Sequence, residues 1–436
     1  MKYDKMKKRF IKFFKRSCKD FQDFKVGAEF EHFIIKKETM EAVNYDDYNG
    51  IKKILEDMES KGWIGVFENK NIIGLKKNNK RITLEPGGQF EFSSSPAENI
   101  KNLECQYLEF LDDILPICEN YGYLLICLGY QPESGINDIS WVPKKRYRFM
   151  SKYLKNKGEY AHNMMKGTAS LQVAIDYKSE KDFKRKMQAA YLLSFLLSSF
   201  FDNSPFFEGG IYDKRMLRTK IWENCDDDRC GVIPGVLSDD FGFEQYAEYI
   251  LNTVPIITLD REGGIRYNIK SLYKLYSPEK WNFKQFYHTF SMVFPDVRAR
   301  EFIEIRFVDA LKYPLNIACV AFIKNIFYNK ELLNYVLNDF SEIDEIKLNM
   351  LRNKMIKTPK LNFYDNKNIF KEIKKLYNKV VEKAHDHEKK YLKYLEYYIE
   401  KEITPRDYIL NMLKNNGKKN VMKNISNNNR RINEKS

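Results

Sequence analysis

The 436-residue chain has no pair of cysteines at CxxC spacing; its seven cysteines (Cys18, Cys105, Cys118, Cys127, Cys225, Cys230 and Cys319) are odd in number and scattered. Neither a disulfide framework nor a zinc site is indicated, and reduced thiols are expected. No apolar run approaches the roughly 18 residues that a membrane-spanning helix needs. The first twenty residues mix Lys with Phe instead of forming the unbroken apolar stretch of a signal peptide. A cytosolic protein without integral membrane association is therefore expected. Also missing are the phosphate loop GxxxxGK[ST], the nucleophile elbow GxSxG and the metal helix HExxH. No helix-turn-helix, RNA-binding or zinc-finger signature accompanies the basic residues, so no nucleic-acid partner is expected.

What is present is the composition of a folded protein. Hydrophobic residues make up 43% and aromatics 15%, too much for a disordered chain. The formal charge of +14 is concentrated at the ends, in Lys2, Lys5, Lys7, Lys8, Arg9, Lys12, Lys15 and Arg16, and again in Lys418, Lys419, Lys423, Arg430, Arg431 and Lys435. Basic residues alternate with Phe10, Phe13, Phe14 and Phe21 at near-helical spacing, which predicts an amphipathic helix over Lys5 to Asp23, docked on the protein rather than lying on a membrane. Strands are expected at Val26 to Ile35, Arg81 to Leu84, Gln89 to Ser93, Leu124 to Tyr130, Thr168 to Tyr177 and Glu301 to Val308, several with strict period-two alternation. Helices are expected at Tyr48 to Lys61, Ile100 to Asn120, Lys181 to Phe200 and Phe243 to Leu251. Pro86-Gly87-Gly88 suits a tight turn between two strands.

The organisation predicted is a basic helix over 1–24, an α+β unit with a mostly antiparallel sheet over 25–312, a helical region packed on it over 313–414, and a disordered basic tail over 415–436. Within the helical region, Asn366 to Glu402 reads as helix, and Thr404-Pro405 has the order of an N-cap followed by proline at the first helical position. His385 and His387 fall two apart in a charged helix and are expected to be solvated.

Carboxylates on the strands carry the chemistry. Glu29 and Glu31 are two apart, so a strand turns both to one face and Phe30 to the other. Gln89 and Glu91 share a face opposite Phe90 and Phe92, and the turn sets Glu85 across from Gln89. Ser170, Gln172 and Asp176 alternate against Leu171, Val173 and Ile175; Glu304 and Arg306 alternate against Ile303, Ile305 and Phe307. Acids crowded on one wall repel unless divalent ions or solvent neutralise them, the way hard oxygen sites for Mg²⁺ are built. The companion cations are Lys144, Arg146, Arg218, Arg229, Arg298 and Arg306, which suit an anionic, phosphoryl-bearing substrate.

These segments resemble the glutamate-cysteine ligases of the plant and proteobacterial type, relatives of glutamine synthetase in their catalytic fold. The matching stretches run in order: GAEFEHF at Gly27, TLEPGGQFEFS at Thr83, LGYQP at Leu128, PKKRYRFM at Pro143, GTASLQVAIDY at Gly167, NSPFFEGG at Asn203, DDRCGVIP at Asp227, FGFEQYAEY at Phe241 and FPDVRAREFIEIR at Phe294. The resemblance implies a curved antiparallel sheet whose concave face holds ATP, Mg²⁺ and glutamate. It implies that the γ-carboxylate of L-glutamate takes the γ-phosphoryl group of ATP, and that the amine of L-cysteine then displaces phosphate, giving γ-glutamylcysteine.

Carried over, Glu29, Glu31, Glu85, Glu91 and Glu304 become metal ligands or ligand-orienting acids. Gln172 becomes a substrate-side or metal-side group, Arg146 and Lys144 substrate-side groups, and Arg218, Arg229, Arg298 and Arg306 contacts for phosphates or the glutamate α-carboxylate, with Arg298, Glu304 and Arg306 nearest the reaction. The chain departs from the family's pattern at His32, where Lys is expected, at Gly167, where Arg is common, and at Ala174, where Asn usually stands. A related ligase using a different acceptor amine, or a non-catalytic nucleotide or amino-acid sensor, remains open at this point, as does the oligomeric state.

Overall fold

The computed structural model describes residues 2–267, 270–359, 363–364 and 367–429. Its centre is a sheet of nine strands among the described residues. These are β1 (Val26–Lys36), β2 (Ile64–Glu68), β3 (Asn71–Lys77), β4 (Lys80–Leu84), β5 (Phe90–Ser93), β6 (Tyr123–Ile126), β7 (Ser170–Ile175), β8 (Val297–Ala299) and β9 (Ile303–Asp309). Their order is β8-β9-β7-β1-β5-β4-β3-β2, with β6 paired to the far end of β1. Each pairing is antiparallel. The alternation in β1 gives the two faces different chemistry: Ala28, Phe30, His32 and Ile34 point into an aromatic and aliphatic core, and Glu29 and Glu31 point away from it.

Helices Ile100–Asn120, Glu180–Phe200 and Leu315–Tyr328 cover that apolar face. Phe30 lies 4.4 Å from the Tyr107 ring and 6.3 Å from Phe92, the spacing at which tilted aromatic pairs attract. The N-terminal helix Lys2–Ser17 buries Met6, Phe10 and Phe14. Phe10 meets Phe286 and Phe290 at 4.8 and 5.5 Å, and Phe14 meets Phe243 at 5.5 Å. The apolar stripe is thus covered by protein, as expected, although the helix stops six residues short of Asp23.

The structure adds and corrects. The hairpin β2–β3 was not anticipated: Ile64, Val66 and Phe67 are exposed, so no apolar alternation marks it. Its turn instead carries Asn69 at positive φ, as Asn78 does in the following turn from β3 to β4, the left-handed backbone that Asn tolerates better than most residues. The stretch from 366 to 402 is three helices, Ile369–Lys383, Asp386–Leu392 and Glu396–Glu400, and Asn366 itself lies outside the described residues. Exposed His385 and His387 stack at 5.5 Å instead of pointing apart, because His385 sits before the helix begins. Thr404 caps the Pro405–Asn415 helix through a reciprocal box with Asp407.

The tail expected to be disordered is ordered through residue 429; residues 430–436 lie outside the described residues. Lys418–Ile425 is helical and buries Val421, Met422 and Ile425 beside Phe33, Ile35 and Ile126. Beyond it Asn427 N–H donates to Leu125 O at 2.8 Å, and the Asn428 side-chain oxygen accepts from Leu125 N–H at 2.9 Å. The tail is tied down by amide hydrogen bonds to a strand edge, a contribution that polar composition conceals.

Candidate active site

Register brings the acids together. Glu31 stands directly opposite Glu91, and Glu29 opposite Gln172; Arg298 stands opposite Glu304. Like charges facing across a pair of strands repel, and here the carboxylates are largely withdrawn from water, Glu31 at 8%, Glu91 at 9% and Glu304 at 2% exposure. Burial pushes Glu29 up to about 8, helped by Glu91 and Glu304. It pushes Glu31 to about 7 with the aid of Glu85, and Glu91 to about 7 with the aid of Glu85 and Glu31. Each of these acids is destabilised in its charged form by the others.

The hydrogen bonds around them divide the wall into two ends. At one end Glu31 accepts from Ser170 N–H at 2.7 Å, Ser170 Oγ at 2.9 Å and Gln172 Nε2 at 3.1 Å. Glu91 accepts from Thr83 Oγ1 at 2.5 Å. Glu85, in the turn, pairs its N–H with Gln89 O. At the other end Glu304 is gripped by Arg298 Nε at 2.5 Å, Arg300 Nε at 3.2 Å and Arg306 Nη1 at 3.8 Å. Burial would raise Glu304, but these guanidinium groups overcome it and hold the carboxyl at about 2. Arg306 Nη1 also donates to Gln172 Oε1, so Gln172 bridges the two ends.

The other residues singled out in the sequence fall in different places. Lys144 donates to Leu84 O at 2.6 Å beside the turn; burial lowers it to about 8 even though Glu85 works against that. Arg146 follows it at the start of the Lys145–Leu154 helix, with its buried Nε unpartnered. Arg218, 5% exposed, donates to Arg306 O at 3.0 Å and likewise leaves Nε unpartnered. An orphaned buried guanidinium N–H is costly and marks a place where an anion would be welcome.

Arg229 is different: it is fully buried, and binds Asp226 at 2.6 Å, Met292 O at 2.9 Å and Tyr153 Oη at 2.7 Å. It works as an internal strut whose donors are spent on the protein itself. Gln89 also turns inward, accepting from Gly87 N–H and donating to Met165 O and Thr168 O, and so fixes the turn that presents Glu85. Gly87 is required there because a Cβ would lie 2.4 Å from Lys166 O. The sequence reading overlooked Arg300, although its spacing of two from Arg298 was a usable signal.

Among the described residues no group of three His, Cys, Asp or Glu side chains closes around a point where a metal could sit. The five acids assigned as one ligand set are therefore a wall of neighbouring acids, not a ready-made cage. A cavity of about 110 Å³ opens on it, lined among others by Gly27, Glu29, Ser93, Gln172, Ala174 and Glu304. A larger one of about 420 Å³ adjoins Arg300, with Leu259, Tyr287 and His288 in its wall. Of the three departures, only Ala174 faces the acids. His32 lies on the opposite face, bonded to Phe90 O and Tyr107 Oη and lowered to about 4 by burial. At Gly167 a side chain would strike the Tyr130 ring at 2.5 Å.

Comparison with known proteins gives a consistent answer. The family described as glutamate-cysteine ligase family 2 matches residues 25–426. The chloroplastic glutamate-cysteine ligase B of Oryza sativa subsp. japonica is 30% identical over 408 residues, 91% of this chain and 81% of that protein. The chloroplastic enzyme of Nicotiana tabacum is 31% identical over 411 residues, covering 91% and 77%. The chloroplastic enzyme of Arabidopsis thaliana is 30% identical over 420 residues, covering 92% and 78%. In fold, the chain is similar to the crystal structure of a glutamate-cysteine ligase from Francisella tularensis in complex with AMP, with a TM-score of 0.61 at 12% identity over 92% of this chain and 87% of that one. The plant relatives are chloroplastic, which overturns the expectation of a cytosolic protein. No helix among the described residues is long and apolar enough to cross a membrane.

Proposed function

The chain belongs to glutamate-cysteine ligase family 2, and from that premise we propose that it joins the γ-carboxylate of L-glutamate to the amine of L-cysteine at the expense of ATP. The supporting observation is the wall itself: carboxylates from separate strands, each raised by its neighbours, set between arginines with unspent donors. An enzyme that handles a nucleotide's phosphates and a dicarboxylic amino acid needs both signs of charge in one dry surface.

The donor chemistry fits Mg²⁺. This ion keeps several waters and is held by one or two carboxylates together with substrate phosphates, so neighbouring acids suffice where a cage is absent. A pair drawn from Glu29, Glu31, Glu85 and Glu91 would hold it, and Glu304, paired with Arg298 and Arg300, would stand at its edge. When bound, the ion supplies neutralisation of charge on the phosphate oxygens.

In this reading the phosphates lie at the Glu29 and Glu304 end, over the cavity, where Arg300 and Arg306 meet the developing charge. Glutamate lies toward Gln172 and Arg218, whose free Nε suits its α-carboxylate. A γ-carboxylate oxygen bonds to the γ-phosphorus as ADP leaves. The cysteine nitrogen then bonds to the acyl carbon and phosphate departs. Withdrawal of the wall from water protects the acyl phosphate from hydrolysis. Gln172 keeps Arg306 and Glu31 aligned across the two ends.

Purified protein tests this directly. ADP release should require Mg²⁺ and glutamate and rise strongly with cysteine; release driven equally by other amines, or none under any condition, overturns the assignment.

A further inference from the structure

Behind the cavity of the acid wall, on the far side of Asp176, lies a separate concavity of about 290 Å³. Three segments remote in sequence build it: the link that carries Phe21 and Phe24 into β1, the first turns of the Glu180–Phe200 helix, and the junction of the Leu315–Tyr328 and Lys330–Asp339 helices. Its floor is apolar. The Phe24 ring lies 5.0 Å from Tyr328, Phe327 and Leu333 are buried, and Phe21 stands 61% exposed at 5.3 Å from Phe24. Its rim is cationic, with Lys178, Lys181, Arg185, Lys186 and Lys330 set against the one carboxylate of Asp182. Lys186 is engaged inside the wall with Asp176 O at 2.7 Å and Asp182 at 3.0 Å. Lys178, Lys181 and Lys330 pair their ammonium groups with no described residue.

An exposed aromatic floor ringed by unspent positive charge is complementary to a molecule that is apolar at one end and anionic at the other. We propose that this concavity binds a small amphiphilic anion, an aromatic or acyl group bearing a carboxylate, phosphate or sulfonate, and that its occupancy alters the nucleotide end of the catalytic cavity. The wall between the two is thin. The Tyr328 hydroxyl donates to Lys25 O at 2.5 Å and accepts from Asp176 N–H at 2.8 Å. The Asp176 carboxylate in turn holds Lys19 Nζ at 2.7 Å and Lys25 N–H at 2.8 Å. Lys19, Lys25 and Asp176 all line the cavity that also contains Glu29 and Glu304. A ligand pressing on Tyr328 therefore moves groups at the edge of the proposed phosphate site. Binding stands on the geometry alone; its effect on the nucleotide rests on the ligase reading.

The probe is 8-anilinonaphthalene-1-sulfonate, whose aromatic body and sulfonate match floor and rim, added to the full-length protein. Saturable fluorescence enhancement is expected that persists in the presence of Mg²⁺, ATP and glutamate. The surface charge reversal Lys181→Glu with Lys330→Glu, which removes no internal contact, should weaken it about tenfold, the equivalent of about 1.4 kcal/mol shared between two exposed charges. Unchanged affinity in that variant with a native circular dichroism spectrum, strictly competitive displacement by ATP, or absence of saturable binding would each overturn the site. In turnover assays the saturating probe should shift the KM for ATP in the wild type but not in Tyr328→Phe, which keeps the ring and loses the hydroxyl relay; an equal shift in both refutes the coupling. A protein that binds the probe and shows no ligase turnover would refute the ligase reading and leave the site intact.

Discussion

Two neighbours on one strand, Glu31 and His32, occupy opposite kinds of surroundings. Glu31 faces Glu91 in a wall where each charge makes the next harder to keep. His32 faces Tyr107 and Phe110 with both ring nitrogens bonded, a buried polar group whose cost is fully met. One face of the sheet makes the protein stable and the other uses part of that stability to hold unneutralised charge. That division predicts that damage to the two faces will be felt in different measurements.

The largest effect should come from the apolar side. Phe30→Ala removes a ring packed on Tyr107 and Phe92 and should lower unfolding free energy by about 3 to 5 kcal/mol, with kcat per folded molecule nearly unchanged. A loss of kcat without a loss of stability would erase the distinction. On the opposite face, Glu91→Gln should reduce kcat by about a hundredfold, the scale of removing one electrostatic group from a reaction centre, while the melting temperature holds or rises because a repulsive charge is gone. Unchanged turnover would remove Glu91 from the chemistry.

The same division governs pH dependence. Glu29, Glu31 and Glu91 ionise near 4.5 when unfolded but at about 8, 7 and 7 in the fold. Raised carboxyls contribute stability that is fully present below about pH 4.5, is withdrawn as pH climbs from there to 7 to 8, and is gone above. Melting temperature measured with chelator should fall by several degrees across that interval, and Mg²⁺ with ATP should flatten the profile; a flat profile without them would mean that the wall carries no strain. The smallest effect belongs to a site on neither face: Thr404→Ala removes a helix cap and should cost about 1 kcal/mol in chemical denaturation, with no kinetic signature.

Much of this division was legible in the sequence, because alternation is a property of the chain alone. Glu29 against Phe30, and Glu304 against Ile305, placed the acids on one wall before any coordinates were needed. What the sequence could not convey was how each donor is spent. Arg229 and Arg218 look alike in the chain, yet Asp226 and Tyr153 consume the first, while the second keeps an unpartnered Nε. The five acids likewise read as one ligand set, whereas among the described residues no three of them close around one point, and the cluster around Glu304 also includes Arg300. The β2–β3 hairpin escaped notice because its outward Ile64 and Phe67 mimic no buried pattern, and only Ile72 and Leu75 of β3 reach the core.

The docked tail has a practical corollary for anyone expressing the protein. A chain cut before Lys418 would lose the bridge between Ser426 and Ile126 and the bonds that Asn427 and Asn428 make to Leu125. Strand β6 would then end in a bare, hydrogen-bond-hungry margin, the kind of surface that recruits a second molecule. Shortened versions should therefore emerge from gel filtration as clumped material even where their catalytic groups are untouched.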